Sequence, residues 1–83
     1  MKSDYHYVYI LRSCHEPPHF YVGFTDDLQS RLKQHNSGSD PHTAKYRPWR
    51  IKTALAFTDR EQALMFERYL KTQSGRAFAK KRL

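Results

Sequence analysis

Cysteine and long apolar segments are both scarce in this sequence. The single cysteine, Cys14, excludes an internal disulfide and fits a protein of a reducing compartment. The amino-terminal stretch MKSDYHYVYILRS lacks the continuous apolar run of a signal peptide, and no stretch approaches the roughly 18 apolar residues of a membrane span. We therefore expect a soluble, cytoplasmic protein without a membrane partner.

Acidic side chains are also few, which leaves the chain strongly basic. Eight Asp and Glu stand against 15 Lys and Arg, so the formal net charge is +7 and the isoelectric point lies near 9.8. Such an excess favours a polyanionic partner such as nucleic acid over an acidic small molecule. The alternative is that the charges only solvate the surface, as in many small basic domains.

Aromatic side chains, by contrast, are plentiful. Five Phe, six Tyr and one Trp supply core volume in a chain of 83 residues. A domain of this size buries only about 60–65% of its unfolded surface, so its core must be economical and a second domain does not fit. We expect one globular domain over residues 1–83.

Two strands open the chain. Residues 5–12 (YHYVYILR) are dense in β-branched and aromatic residues on both faces, which predicts a central strand. Two prolines in SCHEPP (13–18) forbid regular pairing and predict a loop, after which 19–24 (HFYVGF) returns as a hairpin strand. Cys14, His15 and His19 could ligate a metal, but a closed zinc site needs four ligands and no second cluster exists, so we interpret them as an ordinary polar loop.

A helix is predicted over 27–36, with Asp26 or Asp27 as its amino-terminal cap and Ser37-Gly38 as its end. Its core-facing positions include two polar residues, because Arg31 and His35 share the i, i+3, i+4, i+7 stripe with two leucines. In one interpretation both lie at the edge of the stripe and extend to water. In the other they belong to a functional site.

The middle of the chain is predicted to be a loop followed by a third strand. The loop, 37–47, carries Lys45 and Arg47, which could contact phosphates or simply belong to a connection. The strand runs over 51–57 with an apolar face that begins at Ile51 and alternates with Lys52 and small residues. Trp49 is expected to close one end of the core.

The most distinctive local pattern is Thr58-Asp59-Arg60-Glu61, which fits a Ser/Thr-x-x-Glu capping box and predicts a helix over 59–72. Glu67 lies on the apolar stripe of this helix, where a carboxylate costs several kcal/mol to bury unless a cation or a metal meets it. The simpler interpretation is a surface ion pair with Lys71 one turn later. Gly75 is expected to break the chain before a short basic helix or tail in which Phe78 packs.

Together these segments resemble the GIY-YIG nuclease superfamily, specifically the small stand-alone proteins related to the amino-terminal incision domain of the excision-repair endonuclease. The first signature strand is represented by Tyr7-Val8-Tyr9 and the second by Tyr21-Val22-Gly23. The match covers nearly the whole chain and is specific, because five motif positions recur in the right order. Besides the two signature strands, these are Thr25, the run 28–36 with Arg31 and His35, and Glu67.

The resemblance implies an α+β fold in which a three-stranded antiparallel sheet is flanked by helices in the order β-β-α-β-α-α. It also implies hydrolysis of phosphodiester bonds in DNA with Mg²⁺ or Mn²⁺ as cofactor and Glu67 as the metal ligand. Arg31 would hold the phosphate and His35 would assist proton transfer. Tyr21 would act as general base or orient the attacking water, with Tyr9 hydrogen-bonded in the same site.

Further residues are expected on the substrate side of the site. Gly23 would let the backbone turn tightly into the helix where a side chain would crowd the phosphate. The other four predicted substrate-binding residues are Thr25, Asn36, Lys45 and Arg47.

Two departures from the family pattern stand out. Phe24 occupies a position where the repair-type relatives often carry a Lys, and the loop with Pro17-Pro18 is slightly longer than usual. The sequence therefore leaves three hypotheses open. The first is a metal-dependent DNA endonuclease, the second a nucleic-acid-binding module of the same fold that does not cut, and the third a protein-interaction domain.

Overall fold

A computed structural model describes residues 4–83, so residues 1–3 of the predicted domain lie outside the described part. The elements are, in chain order, β1 (His6–Ser13), β2 (Phe20–Thr25), α1 (Leu28–Ser37), α2 (Pro41–Ala44), β3 (Trp49–Phe57), α3 (Arg60–Leu70) and α4 (Gln73–Arg82). This confirms the expected α+β fold with a three-stranded antiparallel sheet flanked by helices. The observed order is the expected β-β-α-β-α-α with one addition, the four-residue helix α2, which lies between α1 and β3.

The central strand β1 organises the molecule. The strand order is β2-β1-β3 with both pairings antiparallel, which confirms the predicted hairpin and the central place of the first strand. Since side chains alternate along a strand, β1 feeds two cores. Tyr9 and Leu11 pack with Trp49 on the face that α1 covers, and Val8 and Ile10 pack on the other face against α3.

The predicted apolar face of β3 is wrong at its first residue. Ile51 is exposed, because the pairing with β1 has an irregularity at Ile10 and Leu11. Ile10 lies opposite Thr53 and Leu11 lies opposite Ile51, so Lys52 has no partner in the register. One extra residue of this kind interrupts the alternation of faces, which a strict period of two cannot reveal.

Helix α1 has the predicted caps. The Asp27 carboxylate accepts a hydrogen bond from the Ser30 backbone N–H at 3.1 Å, and Gly38 ends the helix in the left-handed region with φ 85°. Asn36, near the end of α1, ties the helix to the sheet. Its amide donates to the Trp49 carbonyl at 3.0 Å and accepts from the Trp49 N–H at 2.6 Å.

The segment predicted as loop 37–47 contains the short helix α2. Asp40 caps it by accepting from the His42 N–H at 2.9 Å, and Pro41 occupies the first turn, where its missing N–H costs nothing. The Thr43 carbonyl accepts a hydrogen bond from the Trp49 indole N–H at 2.8 Å. Trp49 is buried at one end of the core, as expected.

Two details of the carboxy-terminal helices differ from expectation. The cap of α3 is Asp59 rather than Thr58, because the Asp59 carboxylate accepts from the N–H groups of Glu61 and Gln62. Gly75 does not break the chain but lies buried inside α4. A Cβ there would lie 1.7 Å from the Tyr69 carbonyl oxygen, so glycine permits the close approach of α4 to the end of α3.

Helix α4 confirms the expected basic carboxy-terminal helix, and Phe78 packs edge-on against Phe66 of α3. Among residues 4–83, none of the helices combines the length and apolar character needed to cross a membrane.

Candidate active site

A buried hydrogen bond between β1 and α1 forms the centre of the site. The Tyr9 hydroxyl oxygen lies 3.0 Å from Nε2 of His35, and these side chains are 2% and 1% exposed. Tyr9 reaches this position from the middle of the central strand, and His35 reaches it from the inward stripe of α1. The interpretation that His35 extends to water is therefore wrong.

The second nitrogen of His35 fixes the direction of the hydrogen bonds. Nδ1 lies 2.8 Å from Oγ1 of Thr43, whose hydroxyl is itself 3.5 Å from the Asp40 carbonyl oxygen. We assign the proton of the neutral imidazole to Nδ1, because the Asp40 carboxylate lies 3.9 Å from that nitrogen and favours a proton on it. Nδ1–H then donates to the Thr43 hydroxyl oxygen. Nε2 then has no proton and accepts the hydrogen bond from Tyr9. The arrangement assigns a neutral His35 in its Nδ1–H tautomer.

The protonation of both residues agrees with this direction. Burial lowers the pKa of His35, an effect that the nearby Arg31 reinforces and the Asp40 carboxylate opposes. Burial is also the main cause that raises the pKa of Tyr9 above its ordinary value. Near neutral pH, Tyr9 is thus a hydroxyl that donates its proton toward an unprotonated imidazole.

The charges that act on Tyr9 show which other predicted residues converge there. Tyr21, Asp40 and Glu67 each raise the pKa of Tyr9, whereas Arg31 lowers it. Arg31 and Glu67 come from helices that pack on opposite faces of the sheet, yet both lie within electrostatic reach of one hydroxyl. Tyr21, Arg31 and Glu67 thus each act electrostatically on the Tyr9 hydroxyl, and His35 bonds it directly.

Tyr21 lies beside this point without joining the hydrogen-bonded chain. Its ring centre is 4.9 Å from that of His35 and 6.3 Å from that of Tyr9. Tyr21 is half-buried on the edge strand β2, so part of it remains open to solvent.

Arg31 is exposed on the outer side of the site. Together with His35 and Asp40 it lines an open polar pocket of about 300 Å³. No ion pair within residues 4–83 includes the Arg31 guanidinium, so its five donors are available to an anion.

Glu67 combines features of both interpretations offered by the sequence. Its carboxylate is 2.9 Å from the Lys71 ammonium, which is the expected i,i+4 ion pair. Yet the Glu67 side chain is only 17% exposed, whereas a surface pair would leave both partners in water. Glu67 therefore forms the expected ion pair with Lys71, but its carboxylate is mostly buried whereas the lysine is half-exposed.

The predicted substrate-binding residues occupy several different environments. Gly23 has no turn conformation; it lies in β2 opposite Tyr9, where a Cβ would be 2.3 Å from the Tyr9 hydroxyl oxygen. Thr25 is buried and bonds the backbone of Asp27, through its hydroxyl, at 3.1 and 3.2 Å.

The remaining three also have defined surroundings. Both ends of the Asn36 amide bond the Trp49 backbone, as described above. Lys45 is exposed and lies over the Tyr46 ring, 5.4 Å from its centre. Arg47 is exposed with its guanidinium packed over Gly38. Among these residues only Lys45 and Arg47 expose a cation on the surface.

Asp40 and Thr43 are site residues that the sequence did not single out. The Thr43 hydroxyl bonds Nδ1 of His35, and the Asp40 carboxylate lies 3.9 Å from the same nitrogen. The dipeptide Asp40-Pro41 is a recognisable helix start, so the sequence could have predicted α2. Nothing in the local pattern, however, indicates that Thr43 would meet the end of α1.

The donor set decides what kind of metal the site could hold. No group of three or more His, Cys, Asp or Glu side chains converges in residues 4–83, and the carboxylates that act on Tyr9 are those of Asp40 and Glu67. Mg²⁺ keeps several waters and commonly binds through one or two carboxylates plus substrate phosphates. A site with so few carboxylates could hold an ion of this kind, although the Glu67 carboxylate is paired with Lys71.

Known proteins share both the sequence pattern and the fold. The structure-specific endonuclease subunit SLX1 of Debaryomyces hansenii is 40% identical in an alignment of 74 positions that covers 81% of this chain but only 21% of that protein. A UPF0213 protein of Bacillus licheniformis is 33% identical over 75 residues, 89% of this chain and 75% of its own length.

The solution NMR structure of a UPF0213 protein from Bacillus halodurans has a TM-score of 0.55 and 31% identity, covering 93% of this chain and 83% of the other. The family model described as the GIY-YIG catalytic domain matches residues 5–82, which include every element of the fold. The chain therefore belongs to the GIY-YIG family, as the signature strands around Tyr9 and Tyr21 indicate.

Proposed function

We propose that this protein is a metal-dependent endonuclease that hydrolyses phosphodiester bonds in DNA. The observation that carries the proposal is the Tyr9–His35 hydrogen bond with Arg31 and Glu67 in electrostatic reach of the same hydroxyl. Hydrolysis of an anionic ester requires a proton acceptor, a cation for the phosphate and a carboxylate for a metal, and these residues are candidates for the three roles. The GIY-YIG family and the SLX1 relatives support a nuclease function.

Glu67 would hold the metal, Mg²⁺ or Mn²⁺. When bound, such an ion neutralises the non-bridging phosphate oxygens and lowers the pKa of a bound water. The Glu67 carboxylate is mostly desolvated, which strengthens its attraction for a cation, but the ion would have to compete with the Lys71 ammonium 2.9 Å away.

Arg31 would bind the phosphate that is cut. Its guanidinium presents donors in a rigid fork that matches two phosphate oxygens and never loses its charge. The open pocket beside Arg31 and His35 gives a phosphate access to it.

Tyr9 and His35 would move the proton of the attacking water. The Tyr9 oxygen accepts a proton while its own proton passes to Nε2 of His35, where the hydrogen bond already points. This exchange avoids a free tyrosinate, whose formation burial opposes. Tyr21, half-buried at the edge of the same site, would orient the water.

The substrate would be recognised by shape rather than by base sequence. The exposed cations suit contacts to phosphates, which position a protein on DNA without reading its sequence. The SLX1 relatives are named as structure-specific endonucleases, which points to branched, nicked or partly single-stranded DNA.

Nicking of plasmid and branched DNA with Mg²⁺ and with Mn²⁺ tests the proposal. Glu67→Ala and Arg31→Ala should abolish cleavage by folded proteins, whereas Arg68→Ala, on the same helix as Glu67, should cut normally. Unchanged cleavage in the first two variants would refute the mechanism.

One observation favours a second candidate, a nucleic-acid-binding module that does not cut. Lys71 already neutralises Glu67, and Phe24 stands where many relatives carry a lysine. A wild-type protein that binds DNA with a steep salt dependence but cuts none of the substrates with either metal would establish this candidate instead.

A further inference from the structure

A second surface feature begins where the proposed active site ends. A groove of about 850 Å³ lies between the edge strand β2 and helix α4. Its apolar floor consists of Ile10, Val22, Leu70 and Ala79. Four cations surround this floor, Lys52, Lys71, Arg76 and Lys80, and Phe20 and Tyr21 of β2 complete the lining.

The charges of this groove are complementary to a polyanion. None of its described lining residues is acidic. Arg76 and Lys80 lie four residues apart on α4, so they project from one face of the helix with their Cβ atoms about 5–6 Å apart. Neither side chain belongs to an ion pair of residues 4–83. Lys52 is less free, because its ammonium bonds the Leu83 carbonyl oxygen.

The floor of the groove decides which kind of polyanion fits. Phe20 is 56% exposed at the start of β2, so its ring is available for contact with a ligand. An intact duplex hides its bases in the stack and presents only phosphates to such a surface. Unpaired bases, by contrast, expose flat apolar faces that stack on aromatic side chains while cations track the backbone.

A second copy of this chain suits the groove less well. Two-fold dimers bring the same patch of each copy together, so the four cations of one groove would meet the four of the other. Like charges placed opposite each other disfavour that pairing. The volume of the groove lies within the range of drug-sized ligands, which gives room for about one or two nucleotides.

The groove adjoins the proposed active site at two residues. Tyr21 lines the groove, and its ring lies at a tilt 4.9 Å from that of His35; Lys71 lines the groove and pairs with Glu67. We propose that this groove binds unpaired nucleotides of the substrate immediately next to the bond that is cut. The inference rests on the proposed nuclease function for its position relative to the cut, but binding can be measured without cleavage.

The test compares two pairs of charges on the same helix. Arg76→Ala/Lys80→Ala removes two cations of the groove, and Lys81→Ala/Arg82→Ala removes two exposed cations of α4 outside its lining. The probe is a fluorescent DNA duplex with a single-stranded tail, compared with the same duplex without a tail. Affinity is measured by anisotropy in EDTA over a range of salt concentrations.

We expect the tail to tighten binding to the wild type and the groove variant to lose this gain. The slope of log affinity against log salt should become less steep by about 1.4 for the tailed probe, because each single-strand phosphate contact contributes about 0.7. The outer pair should keep the wild-type preference for the tail.

The aromatic contribution is tested separately at Phe20. Phe20→Ala should weaken binding of the tailed probe about tenfold, near the lower end of the effects seen for stacking residues, and Phe20→Trp should restore it. Circular dichroism should be unchanged, since the ring is largely exposed.

Three results would overturn the inference: a tail that adds no affinity, equal losses in the two double variants, or groove variants that lose only dimerisation in sedimentation experiments. The proposed function fails independently of these outcomes. If the wild type binds the tail through the groove but never cuts DNA, only the proposed endonuclease function is refuted. If the wild type cuts normally and the groove variants bind the tail as tightly as the wild type, only the proposed role of the groove is refuted.

Discussion

Replacing Tyr9 with phenylalanine removes one hydroxyl group from the centre of the site and leaves the ring in place. In the wild type this hydroxyl donates to Nε2 of His35, which is 1% exposed. In Tyr9→Phe the imidazole nitrogen has lost its donor and water cannot easily replace it. Thr43→Val, which has nearly the same shape as the wild type, leaves the opposite nitrogen without its acceptor.

The cost follows from the burial of the imidazole. A buried polar group that loses its partner costs about 1–3 kcal/mol, because its desolvation is no longer offset. For a domain of this size each kcal/mol lowers the melting temperature by about 4–8 °C, so a loss near 2 kcal/mol lowers it by about 8–16 °C. Tyr46→Phe is the matched control, because it deletes a hydroxyl from a half-buried ring outside this chain of bonds, and it should cost about 0.5 kcal/mol or less.

Tyr9→Phe and Thr43→Val are expected to lose similar stability but to differ in cleavage. Tyr9→Phe removes the oxygen that would accept the proton of water, so its cleavage should be lost at temperatures where the protein is folded. Thr43→Val keeps Tyr9 and Nε2, so measurable cleavage should remain. Urea unfolding gives the stabilities, and plasmid nicking well below each midpoint gives the activities.

Two results would contradict this reasoning. If Tyr9→Phe unfolds within about 0.5 kcal/mol of the Tyr46→Phe control, the hydrogen bond to His35 is not a buried, obligatory one. If folded Tyr9→Phe still cuts at the wild-type rate, Tyr9 does not handle the proton and that role passes to another residue of the site.

Three further predictions concern titration, the metal site and the junction of helix and sheet. The lowered pKa of His35 means that below about pH 6.5 the unfolded chain takes up a proton that the folded protein refuses, so stability should fall with falling pH until the lowered pKa is reached. Urea unfolding at several pH values should show that the stability of His35→Gln depends less on pH than that of the wild type. If the two proteins lose stability in parallel as the pH falls, His35 is not the cause of the pH dependence. Lys71→Ala removes the cation that competes for the Glu67 carboxylate, so calorimetric titration should show Mn²⁺ binding a few-fold more tightly, and equal or weaker binding would contradict this. Asn36→Ala removes both hydrogen bonds to the Trp49 backbone and should lower stability by about 1–3 kcal/mol in urea, a loss that an unchanged midpoint would refute.

Local patterns predicted most of the fold correctly because they report local physics. Alternation in the first strand, the caps Asp27 and Gly38 and the apolar stripe of α3 each follow from interactions within a few residues. The errors arise where two elements meet. The shifted register at Ile51 and the close packing at Gly75 are properties of a neighbour that the segment itself does not encode.

The same distinction applies to the site. Glu67 stood out because a carboxylate on an apolar stripe demands a partner, and the resemblance to the GIY-YIG superfamily supplied its role. His35 was harder to interpret, because a histidine at a stripe position fits a solvated edge as well as a buried site. Its burial depends on Thr43, whose approach from α2 becomes visible only in three dimensions.

The dual use of β1 explains why stability and chemistry are difficult to separate in so small a protein. One side of the strand supplies the aliphatic residues Val8 and Ile10 to a core, and the other supplies Tyr9 to a chain of hydrogen bonds. A domain of 83 residues has little other interior in which to bury an imidazole, so the polar chain must also serve as packing. Loss of activity in a variant of His35 or Tyr9 is therefore evidence about catalysis only where unfolding has been measured on the same protein.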